Sequence, residues 1–299
     1  MLTWELVGAV IGAGLASGRE IASFFSRYGV WGYGGITIAV TVLIWLSSPP
    51  RMTCRQNKLF EKVRAALLSL LVMTTGGAML SAAGELAMLM LPQHGAQQIG
   101  MILTFILACL LAYRSKSGLA WVSCILMIVL MAVLLCGLLQ KPQQHGFIQE
   151  QDAVKAMLHG AVYGGFNAAL QIPLLMAYKR DDTAVRKAIK RAGGLIGLLL
   201  MLGHTVLLKH PALIAESMPF IRLTGFLGKT GYYLYGSCLY LAVLSTLIAC
   251  LRGIKAGGIP IVCIWTIALL GFSGVVDLVY PVLGAACMLL LILSKLPNC

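Results

Sequence analysis

Ten apolar stretches follow one another along the chain, at about 4 to 28, 32 to 48, 64 to 91, 97 to 113, 118 to 139, 153 to 177, 192 to 209, 230 to 251, 257 to 273 and 276 to 295. Each is near the roughly 20 residues that an α-helix needs to cross the hydrocarbon core of a bilayer. Together they leave no room for a separate soluble domain. The runs are too long and too continuous for the alternating segments of about ten residues that build an outer-membrane barrel. With 59% apolar and 11% charged residues, the chain needs lipid as its solvent. It reads as one all-α membrane domain of ten transmembrane helices, with the bilayer as its first partner.

In a soluble protein the formal net charge of +13 would suggest nucleic acid. Here the basic residues stand in blocks between apolar stretches, which is a topological signal, and no nucleic-acid partner is expected. With the N-terminus inside, inner loops collect Arg51, Arg55, Lys58, Lys62, Arg64, Arg114, Lys116, Lys179, Arg180, Arg186, Lys187, Lys190, Arg191, Arg252 and Lys255, and the tail adds Lys295. Outer segments hold Arg27, Lys141, Lys155, Lys209, Arg222 and Lys229, so sixteen basic residues face six. The bias predicts a multi-pass plasma-membrane protein with both termini cytoplasmic. The first residues lack the basic region of a cleavable signal, so the first span is expected to stay in the mature protein. The nine cysteines form no C-x-x-C pair or metal-ligand grouping and read as small packing residues.

The first and sixth spans share an unusual text. Gly8-Ala9-Val10-Ile11-Gly12 aligns with Gly160-Ala161-Val162-Tyr163-Gly164, at an offset of about half the chain. Each copy opens a group of five spans, and an odd number of spans turns the second group upside down, which predicts inverted repeats over 1–150 and 151–299. Glycines this dense weaken a helix. They serve either close packing between helices or a local break, in which freed backbone groups at mid-membrane face a cavity. Ser17 followed by Glu20 has the form of a capping box at the start of a new helix and favours a break in the first span.

The stretch Gly12-Ala13-Gly14-Leu15-Ala16-Ser17-Gly18-Arg19-Glu20-Ile21, with Phe24-Phe25 and Tyr28-Gly29, resembles the first-span signature of the YkvI-like membrane proteins, relatives of the amino acid–polyamine–cation transporters. The resemblance implies a LeuT-like fold of five plus five inverted helices with the first and sixth broken. It further implies a sodium site between carbonyls at the first break, at Gly8 and Ile11, and the eighth span, which offers Ala242, Ser245 and Thr246. Those two hydroxyls equally suit a bond back to their own helix. Na+ or H+ is the coupling ion expected, with no organic cofactor. The resemblance also makes Arg19 and Asp277 a gating pair, while Arg19 has a local alternative in Glu20.

Charged groups inside spans are functional candidates because burying them in lipid is costly. Glu20 would sit in the first turn of a half-helix, where the dipole favours its ionised form. Glu85 has no local partner in Ala82-Ala83-Gly84-Glu85-Leu86-Ala87 and reads as interfacial, proton-carrying or substrate-binding. Glu5 and Arg252 stand at the inner ends of their spans as a second candidate gate. Gly12, Gly14 and Ser17 at one break, with Tyr163, Asn167 and Gln171 at the other, form the candidate substrate site. A half-helix amide end there suits a carboxylate, so an amino acid or small amine is the expected substrate. The segment from Pro211 to Gly228 reads as a helical lid or a plain linker. No paired nucleophile and base marks an enzyme. The functions expected are cation-coupled symport by alternating access or, alternatively, a membrane ligand sensor of the same fold.

Overall fold

The computed structural model describes residues 2–48, 58–91, 93–114, 120–142, 150–176, 178, 183–254 and 258–295, with only the backbone given for 113, 114, 120–124 and 226. Arg51, Arg55, Lys116, Lys179, Arg180, Lys255, Cys54 and Cys299 lie outside the described residues. The first half runs through α1 (Leu2–Val10), α2 (Ala13–Ser17), α3 (Arg19–Phe24), a 3-10 stretch at Ser26–Trp31, α4 (Gly32–Ser47), α5 (Lys58–Met90), α6 (Ala96–Arg114) and α7 (Ala120–Leu139). The second half holds α8 (Ala153–Leu175), α9 (Thr183–Lys209), α10 (Pro219–Leu223) between 3-10 turns at Pro211–Ala215 and Thr224–Leu227, α11 (Gly228–Gly253), α12 (Gly258–Ala268), α13 (Phe272–Gly274), a π-helical turn at Val275–Val279, and α14 (Tyr280–Leu293). No strand occurs among the described residues.

Among the described residues, five helical runs are long and apolar enough to cross a membrane: Ser26–Ser47, Lys58–Met90, Thr183–Lys209, Gly228–Gly253 and Phe272–Leu293. Shorter apolar helices cover Ala96–Ala112, Ile125–Leu139 and Gly258–Ala268. Large apolar side chains such as Ile102, Leu103, Ile106 and Leu110 on α6, and Ile259, Val262 and Leu269 near α12, point outward. Water would penalise that surface and lipid does not. The protein is an all-α membrane protein.

The first span is broken. α1 ends at Val10, Ile11 and Gly12 are non-helical, and a second interruption falls at Gly18, whose φ of 86° lies in the left-handed region. A Cβ at Gly18 would also stand 3.0 Å from the Phe220 ring, so glycine is required there twice over. The capping box expected at Ser17 and Glu20 does not form. Gly18 is the N-cap of α3 without a side-chain bond, and the Ser17 hydroxyl donates to the Gly14 carbonyl at 3.0 Å. Glu20 is drawn away from the cap by a partner on α8.

The sixth span corrects the expectation of a second break. α8 is one helix from Ala153 to Leu175, passing through 163–168 without interruption. Its glycines carry backbone-on-backbone packing instead. A Cβ on Gly160 would overlap the carbonyl oxygen of Gly35 on α4, and one on Gly164 would overlap that of Ala39. On the other flank, Gly165 receives Met288 of α14, and a Cβ on Gly284 would lie 2.9 Å from the Val162 carbonyl. Small residues let helix axes approach closely, and α8 uses that to sit wedged between α4 and α14. Its start is fixed by Asp152, which accepts from the Lys155 amide at 3.0 Å.

The segment 211–227 is helical in short pieces rather than a plain linker. Ile214, Phe220, Ile221 and Leu223 are buried, and Phe220 seats on Gly18 and Gly203. It therefore covers the second interruption of the first span.

Candidate functional site

At the first break the ordinary helical ladder is diverted. The Gly12 amide donates to Val10 at 2.8 Å and the Ile11 amide to Val7 at 2.8 Å. The Ile11 carbonyl is left without a backbone donor, and the Leu15 amide without a backbone acceptor, among the described residues. Such groups are costly in an apolar surrounding unless something else satisfies them. Gly12 is partly open, with the Thr246 hydroxyl 3.8 Å from where its Cβ would be. Thus α11 packs beside α2 and brings Thr246 to the break. Ser245 donates its hydroxyl to Ala242 of its own helix at 2.9 Å, the local alternative for that residue. About three turns earlier on α11, the Tyr235 hydroxyl donates to the Ala16 carbonyl, tying α11 to α2.

Tyr163, Asn167 and Gln171 recur every four residues and share one face of α8, all buried. The Tyr163 hydroxyl donates to Glu20 Oε2 at 2.9 Å, joining the sixth span to the first just past its break. Asn167 donates to the Tyr163 carbonyl at 3.0 Å, back along its own helix. Gln171 accepts from Ser47 at 2.8 Å and donates to the Leu6 carbonyl at 3.2 Å. Gln171 is therefore a clamp between α8, α4 and α1. Gly14 packs directly under the Glu20 carboxyl, where a Cβ would collide with it.

Arg19 and Asp277, 258 positions apart, meet in an ion pair between Arg19 Nη2 and Asp277 Oδ2. Arg19 Nη1 also donates to the carbonyls of Glu216 at 3.0 Å and Ile214 at 3.4 Å. One guanidinium so ties α3, the π-helical turn at Val275–Val279 and the 211–227 segment together. Arg19 is 12% exposed and Asp277 28% exposed. A cavity of about 240 Å³ lies beside the pair, lined by Ala22, Ser23, Arg27, Ile214 and Ala215 as well as the pair itself.

Glu85 has a partner that its neighbours in sequence do not reveal. Its Oε1 accepts from the Phe272 amide at 3.0 Å, at the first residue of α13, directly after Gly271 with φ 78°. Glu85 thus caps the start of α13, and its Oε2 is buried without a hydrogen-bond partner among the described residues. At the other end of the molecule Glu5 accepts from the Tyr178 hydroxyl at 3.1 Å, while Arg252 donates to the carbonyls of Leu111 and Ala112.

Two groups escaped sequence reasoning. Tyr235, whose hydroxyl reaches Ala16, lies outside any motif, and Ser26 pairs with His204 Nδ1 at 2.9 Å across more than half the chain. Only the burial of a polar group among apolar neighbours hints at either.

No protein-family model matches the chain. It is similar to the uncharacterized membrane protein YkvI of Bacillus subtilis (strain 168), with 20% identity over 279 residues, covering 85% of this chain and 79% of that protein. The helices and outward apolar side chains agree with a membrane protein, and the likeness supports reading the chain as a YkvI-like membrane protein.

Proposed function

We propose that this chain is a secondary active transporter of the plasma membrane, carrying an amino acid or small amine by cation-coupled symport with Na+ or H+ through alternating access. In this reading ten spans form two inverted halves, 1–150 and 151–299, in a LeuT-like arrangement whose broken element is the first span alone, with both termini cytoplasmic. The single observation that carries it is the break at Ile11–Gly12, where backbone groups are freed in the interior. Discontinuous helices of this kind line substrate and ion sites in secondary transporters. Gly12, Gly14 and Ser17 are the backbone side of the site, and Tyr163 and Asn167 its side-chain wall. Gly8, Ile11, Ala242, Ser245 and Thr246 are the candidate cation ligands. Arg19 and Asp277, roofed by the 211–227 segment, act as the outer gate. Glu85 supports the gate by capping the helix that carries Asp277.

Reconstitution into liposomes tests this. Uptake of labelled amino acids and amines is expected to exceed equilibration when a sodium or proton gradient is imposed. Binding without accumulation sinks the transporter and favours the second reading, a membrane ligand sensor. The unbroken α8 is the observation on the side of the sensor, because it gives the second half no counterpart to the mobile joint of the first.

A further inference from the structure

We propose that the coupling ion is a proton and that Glu20 is the group that carries it. This rests on the transporter reading above and narrows it. Glu20 is 5% exposed, one residue from the gating Arg19 and packed under the break. Among the described residues no cation pairs with it, because Arg19 is engaged by Asp277 and by the carbonyls of Ile214 and Glu216. Its hydrogen bond comes from the neutral Tyr163 hydroxyl. A carboxylate buried with one neutral donor and no counter-charge is far costlier than the neutral acid. Phe24 and Phe25 pack against Tyr163, tilted and edge-on, at 5.1 Å between ring centres, which makes the surroundings more apolar still.

The other titratable groups on the elements packed around α3 are occupied elsewhere. Arg27 of the 3-10 stretch reaches Glu150 at 3.8 Å, and Tyr28 faces His159 of α8. On α9, His204 turns to Ser26 and Lys209 to the Leu138 carbonyl. The π turn presents Asp277 to Arg19, α14 brings Tyr280 within electrostatic range of Glu20, and α2 and the Pro211–Ala215 turn carry no ionisable side chain. The closed arrangement is therefore the protonated one. A proton taken from the outer solution neutralises Glu20 and lets it seat on Gly14 and Tyr163. Opening toward the opposite side hydrates the carboxyl and releases the same proton there. By contrast Ser245, on the sodium alternative, directs its hydroxyl to its own helix.

Two measurements on the purified full chain in phospholipid vesicles test this. Infrared difference spectra between alkaline and acid pH read carboxyl protonation directly. A titrating acid band is expected, absent in Glu20→Gln. In Tyr163→Phe its midpoint should move to about tenfold lower proton concentration, since the lost bond favours the ionised form. In vesicles loaded with a pH-sensitive dye, uptake of labelled amino acids, tried one at a time without sodium, should acidify the lumen. The number of protons entering per label should fall in Glu20→Gln. Identical infrared titrations in the unaltered chain and Glu20→Gln overturn the proposal, as does an unchanged proton-to-label ratio. Label exchange without proton movement in the unaltered chain overturns this proposal alone, whereas no exchange with any label overturns the transporter reading and this one with it.

Discussion

The stretches at 8–16 and 160–168 share a glycine-rich text, and their glycines do opposite things. In α8 each glycine is filled from outside by another helix: Gly160 by Gly35, Gly164 by Ala39 and Gly165 by Met288. The helix stays whole because close packing on both flanks repays the poor propensity of glycine. In the first span Gly12 meets little, and the chain bends there and again at Gly18. The two starts differ as well, since α8 has a side-chain cap in Asp152 while α2 and α3 have none. One motif therefore builds a fixed post in one place and, in the transporter reading, a joint in the other. A glycine pattern alone does not say which, because the choice is made by what faces it.

The largest test of that difference is Gly160→Ala. Its methyl meets backbone, which cannot swing aside, so a loss of about 1–3 kcal/mol is expected from thermal unfolding in detergent despite the better helix propensity of alanine. Gly12→Ala is the matched control and should change stability by less than about 0.5 kcal/mol. Equal losses at both sites break the comparison.

Asp277→Asn tests the joint from its closing side. The Arg19–Asp277 pair is part-buried, so its loss should fall between the ~0–1 kcal/mol of an exposed pair and the ~3–5 kcal/mol of a buried one. The same variant should speed thiol labelling of a cysteine placed at Ser23, which lines the adjoining cavity. Glu85→Ala removes a cap and should cost about 1 kcal/mol, read in the same unfolding assay.

The smallest effect concerns the post. The Lys155 amide holds the Asp152 carboxyl below the usual aspartate range. Its contribution is therefore present above the ordinary aspartate pKa and is lost as pH falls through the lowered one. Asp152→Asn should flatten the stability profile only in that acidic window. A profile changed near neutrality would mean that the cap does something else.

Much of the fold was legible because hydropathy and length act locally: the apolar stretches fall on helix, and the bend in the first span lies where glycine and serine cluster. The boundaries moved where a helix outruns its apolar part, as α9 does in starting at Thr183 among basic residues. The unbroken α8 was illegible because its cause lies at Gly35, Ala39 and Met288, none of them near it in sequence. The candidate site was read unevenly. Arg19 and Asp277 do meet, whereas Gln171 is used as a clamp and Glu85 as a cap, through partners more than a hundred residues away.

In the transporter reading, the cap on the tenth span sets where movement can occur. Glu85 grips that span at its first amide, beside the left-handed Gly271, and α5 packs along the run that follows, including the π turn with Asp277. Asp277 is therefore bolted to α5 as to a frame. If the pair with Arg19 parts, as that reading expects, the travel would fall to the arginine, on a short helix flanked by the interruptions at Gly18 and Gly12. In the transporter reading the molecule would work like a latch whose keeper is fixed and whose bolt slides.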